Sequence, residues 1–109
     1  MTEKFLVSLE KAEKSIRLAD HFLNVTFPLV KEYRLLLKII SELYVGVINL
    51  INASLQYDYY HKRITIFQDS QTNLRTFKES CALRNGLSEN EVSSLLEVIR
   101  LFKVHKSSS

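Results

Sequence analysis

Two pairs of side chains that bind metals elsewhere stand out, Asp20 with His21 and Asp58 with His61. Carboxylates and imidazoles meeting between two antiparallel helices are the raw material of a metal centre. The spacing argues against it here. Di-metal helical bundles draw Glu-x-x-His pairs from facing helices, and this chain has none. In a tight hairpin His21 lies near the start of the long central helix, more than about 30 Å from Asp58 and His61 near its end. Asp58 is therefore expected to be a surface acid and His61 a helix-end cation, with no metal and no cofactor.

A second group mixes rings with cations: Tyr57, Tyr59, Tyr60, His61, Lys62 and Arg63. Such a mixture stacks bases and holds phosphates. Of these, Tyr59, Tyr60, His61, Lys62 and Arg63 are the candidates for contact with nucleic acid. Helical geometry disperses them, placing Tyr57 inside an apolar arc and Tyr59 and Tyr60 at its edges, where packing on the following segment competes with base stacking. Cys81 is the single cysteine, so the chain forms no internal disulfide. It falls on the apolar side of its helix and is expected in the core.

In the last helix Arg100 and His105 are separated by four residues, Arg100-Leu-Phe-Lys-Val-His105. This resembles the motif of HEPN domains, helical and usually dimeric proteins, many of them RNases that attack RNA across a dimer cleft. The resemblance implies that Arg100 holds phosphate and His105 moves a proton, roles suited to a fixed cation and to a group titrating near neutrality. Along one helix the two project about 140° apart. A broader likeness rests on Asp20-His21, on Phe27-Pro28-Leu29-Val30 and on Leu35-Leu36-Leu37-Lys38. Over roughly residues 5 to 105 the chain resembles small helical proteins predicted from archaeal genomes, which implies an all-helical fold and no particular activity.

The elements that position these residues are organised around Glu32 to Arg63. Within it, apolar side chains from Leu35 and Ala53 through Leu36, Ile40, Leu43, Val47 and Leu50 to Leu37, Leu55 and Ile48 cover roughly 220° of a helix. A helix that greasy must be contacted from at least two sides. Residues 3 to about 24 predict a first helix capped by Thr2, with Phe5, Leu9, Ala12, Ile16, Ala19 and Leu23 as its seam. Val7, Leu18, Phe22 and Val25 form a second stripe on the opposite side, the candidate interface with another chain. Pro28 predicts a turn within Asn24 to Lys31 and an antiparallel hairpin.

Ile64 to Thr72 reads as an extended linker. Thr72 or Asn73 is expected to cap a third helix (73–84) bearing Leu74, Phe77 and Cys81, stopped by Asn85-Gly86. Ser88-Glu-Asn-Glu91 spells a capping box that opens a fourth helix (89–105) with Val92, Leu95, Leu96, Ile99 and Phe102 on one face.

The 109 residues, 46% hydrophobic and 25% charged with net charge +3, suit one globular domain without a basic tail. The longest uncharged run, Leu43 to Tyr57, has about 15 residues and is broken by asparagines, short of the ~20 that a bilayer requires. Taken together, the sequence predicts an all-α, four-helix up-and-down bundle around a long central helix. The function expected is that of a small non-enzymatic interaction module, cytoplasmic and homodimeric, without membrane contact. An RNA-binding protein or RNase of HEPN type, using Arg100 and His105, is the alternative.

Overall fold

A computed structural model describes residues 2–108; the side chains of Thr2, Glu3, Val30, His105, Ser107 and Ser108 lie outside the described residues. The chain is all-α, four main helices forming a bundle around a long central one. Helix α1 spans Thr2–His21, a π turn follows at Phe22–Thr26, and a short α2 occupies Phe27–Val30. The central α3 runs Tyr33–Tyr60, α4 runs Ser70–Thr76 and continues through a second π turn at Phe77–Cys81, and α5 runs Glu89–Ser108. The expected Thr2 cap falls on a side chain that is not described.

Helix α1 packs antiparallel on α3, with Phe5 edge-on to Tyr57 at 5.1 Å at one end and Lys38 over the Phe22 ring at 4.8 Å at the other. Helix α5 also runs antiparallel to α3, since Asn85 just before it meets Ser54 and Phe102 near its end stacks on Tyr44 at 3.9 Å. The central helix is thus covered from two directions, α1 on one side and α4 with α5 on another. The second side holds the main core, Val47, Ile51 and Leu55 against Phe77, Cys81, Ala82, Val92 and Ile99.

Pro28 does not end the first helix. The backbone stays helical through it and turns at Lys31, whose φ of 54° is left-handed and whose N–H donates to the Phe27 carbonyl at 2.8 Å. The physical reason lies one turn earlier. A proline ring strikes the carbonyl four residues before it in an α-helix, and a π turn, closed here from the Phe27 N–H to the Phe22 carbonyl, widens the spiral at that place. The Asn24 side-chain amide donates to the Asp20 carbonyl at 3.1 Å and to its carboxylate at 2.7 Å, satisfying acceptors beside the widened turn.

The α1 seam also differs from expectation. Ala12 and Ala19 are buried as predicted, but their companions are Ser8 and Ser15, while Leu9, Ile16 and Leu23 remain 39% to 46% exposed. Small side chains let the two backbones approach, and of the bulky ones Ile16 still reaches over the contact. Opposite them stands Gly46, which has no room for a side chain.

Helix α4 starts at Ser70, earlier than the 73–84 reading. Asp69 is its cap, accepting from the Thr72 N–H at 3.2 Å and from the Thr72 hydroxyl. Asn73 instead staples the linker, exchanging hydrogen bonds with the N–H and carbonyl of Phe67 at 2.8 and 2.6 Å. The stop at Asn85-Gly86 is found, Gly86 having φ 89°. So is the capping box: the Ser88 N–H donates to Glu91 at 3.0 Å and the Glu91 N–H to the Ser88 hydroxyl at 3.1 Å. Helix α5 then continues to Ser108, beyond the expected end at residue 105.

Candidate functional site

The most unusual group in the molecule is Asp58, near the end of α3, with no exposed surface at all. The expectation of a surface acid is overturned. Arg63 places Nη1 3.2 Å from its Oδ1 and Arg84 places Nη1 3.0 Å from its Oδ2, so one buried carboxylate is held by two cations from different segments. The Arg63 N–H also donates to the Asp58 carbonyl at 2.9 Å, closing the chain over the helix end, where Lys62 takes φ 60°. Cys81 is wholly buried next to this group. Burial first, and then the Asp58 carboxylate, push its thiol up to about 12, against the opposing charge of Arg84.

Part of the aromatic and basic run gathers around His61, whose ring lies 4.5 Å from that of Tyr57 and 5.2 Å from that of Tyr60. Tyr57 is half-buried, with the guanidinium of Arg63 at 5.8 Å. Tyr59 and Tyr60 stand 50% and 42% exposed, and His61 and Lys62 are exposed. Among the nucleic-acid candidates, Arg63 alone takes part in an ion pair among the described residues.

Arg100 is exposed and grips Glu97 three residues earlier on its own helix, its Nε 3.0 Å from Oε2. Each raises the preference of the other for its charged form, so Glu97 titrates below the usual carboxylate range. The backbone of His105 is helical, and its side chain lies outside the described residues. Asp20 is engaged by Asn24, and His21 is exposed with the Phe22 ring 6.3 Å away. Among the described residues no group of three or more potential metal ligands comes together.

The candidate interface stripe of α1 is placed at the surface in part. Val7, Leu18 and Val25 are 47%, 38% and 51% exposed, and Phe22 is half-buried beneath Lys38. Its border on α3 is polar: besides Lys38, Gln56 accepts a hydrogen bond from Ser8 at 3.1 Å. The opposite flank is different. There Leu9 lines an open, mostly apolar hollow of about 290 Å³ with Phe5, Leu50, Tyr57 and Leu87. Ile16 continues the flank toward Leu43, which with Leu50 lies one turn either side of Gly46 and is half-buried. Sequence reasoning assigned Leu9 and Ile16 to the covered seam; the signal it missed is that Ser8 and Ser15 continue the small-residue series of Ala12 and Ala19.

Helix α3 is long and apolar enough to cross a membrane by length and composition, and only 22% of its most apolar stretch is buried. No family model, no curated protein and no solved structure matches the chain.

Proposed function

We propose that the chain is a soluble, cytoplasmic helical interaction module that self-associates through the apolar flank shared by α1 and α3. The observation that carries this reading is the exposed Leu9 on the open, mostly apolar hollow that Phe5, Leu50, Tyr57 and Leu87 also line, with exposed Ile16 further along the same helix. Soluble monomers rarely leave contiguous apolar surface of this kind bare. A second copy is the occupant that suits it. Exposed leucine and isoleucine side chains lie next to a hollow of matching chemistry on one face, which is the self-complementarity that a two-fold interface requires. The helix also carries four acidic residues, Glu3, Glu10, Glu13 and Asp20, against four basic ones, Lys4, Lys11, Lys14 and Arg17, so a second α1 meets no net repulsion.

Sedimentation equilibrium tests this directly. The wild-type chain forms a dimer, Leu9→Glu converts it to a folded monomer by circular dichroism, and Leu18→Glu leaves it dimeric. Dissociation by Leu18→Glu alone moves the contact to the other flank and overturns the proposal. A fluorescent single-stranded RNA, incubated at low salt, is not cut. Cleavage that disappears in both Arg100→Ala and His105→Ala overturns the non-enzymatic reading.

A further inference from the structure

The Asp58 cluster holds more positive charge than the buried carboxylate needs. One arginine neutralises one aspartate. Here two guanidiniums approach opposite oxygens of the same carboxylate, each through Nη1 only, at 3.2 and 3.0 Å. Neither has another ion pair or hydrogen bond among the described residues, and the side chains of Arg63 and Arg84 remain 40% and 39% exposed. Each guanidinium carries five N–H donors, so donors remain on both forks beyond the Nη1 that each gives to Asp58. A carboxylate that bridges two arginines also fixes their separation and orientation, and Asp58, itself immobilised by complete burial, is well suited to do so.

We infer that Arg63 and Arg84 form a binding site for a phosphate group, with Asp58 as the positioning residue. The charge balance at the cluster is one positive charge in excess, and the exposed Lys62 adjoins it in sequence. The carbonyls ending α3 and the Asp58 charge act against an anion. Paired forks outweigh them, because arginine binds phosphate oxygens through parallel charge-assisted hydrogen bonds that a single lysine cannot reproduce. The site is independent of self-association, since Leu9 and its neighbours take no part in it.

Arginine Nε–H resonances of the full-length, ¹⁵N-labelled chain are followed during titration with inorganic phosphate, at ionic strength matched with chloride, and separately with adenosine 5′-monophosphate. Saturable shifts confined to Arg63 and Arg84 are expected. Arg63→Gln and Arg84→Gln each weaken binding by roughly tenfold or more, the loss for charged hydrogen bonds. Arg84→Lys, which keeps the charge and the ion pair, also weakens it because the fork is lost. Equal affinity for the two ligands assigns a free phosphate, and tighter binding of the nucleotide assigns a phosphate monoester. No saturable shift beyond the chloride control, or equal shifts at Arg17 and Arg34, overturns the assignment.

Discussion

Ile16 occupies the space that a side chain at Gly46 would need: a Cβ built on Gly46 falls 2.7 Å from Ile16 Cγ1 and 3.3 Å from the Ala12 carbonyl oxygen. Two effects oppose each other in Gly46→Ala. Alanine favours the helix by about 1 kcal/mol, and forcing a methyl into a filled contact costs about 1–3 kcal/mol. The backbone carbonyl of Ala12 cannot step aside as a side chain can, so the contact wins. Urea denaturation should show Gly46→Ala less stable by about 1 kcal/mol. Ile16→Ala in the same chain removes the nearer obstacle, and the double variant should lose less than the sum of the two single losses.

Asp58 predicts a non-additive response. With Arg63→Gln or Arg84→Gln alone, the buried carboxylate keeps one cation, and the loss of stability should be about 1–2 kcal/mol. Removing both leaves it fully buried without a cation, where the loss should be about 3–5 kcal/mol. Additive losses would mean that the arginines hold the carboxylate independently.

Cys81 gives an alkaline signature. Its thiol is raised from the ordinary 9.0 to about 12 in the fold, so the folded state keeps a proton that the unfolded chain releases first. The associated stability is intact below pH 9 and is lost as pH rises from 9 toward 12. Cys81→Ala should show a shallower decline over that window than the parent. Iodoacetamide at pH 8.5 should modify the native chain no faster than it unfolds.

The acid limb has the opposite sign. Asp69 is held below its ordinary value by the Thr72 hydroxyl and N–H, and Glu91 by the N–H and hydroxyl of Ser88. Both carboxylates favour the fold above their unfolded values, and the contribution disappears as pH falls through the lowered ones. Asp69→Asn with Glu91→Gln should flatten the fall in stability below pH 4, as followed by thermal melts.

Much of the architecture was legible because it depends on neighbours in sequence. The capping box at Ser88 and Glu91, the stop at Gly86 and the two-sided burial of α3 follow from local chemistry and periodicity. The misses depend on distant partners. Asp58 is buried because Arg84, 26 residues later, reaches it, and no spacing rule announces that. Pro28 lies inside a helix because a π turn five residues long precedes it. The α1 contact is made by small residues because Gly46 lets the backbone in, a match visible only when both helices are placed together.

Self-association through the α1–α3 flank is tested most directly by sedimentation equilibrium of the wild-type chain beside Leu9→Glu, from low micromolar to several hundred micromolar protein. The account predicts a dimer for the first and a folded monomer for the second. A wild-type chain that stays monomeric across the whole range would contradict it.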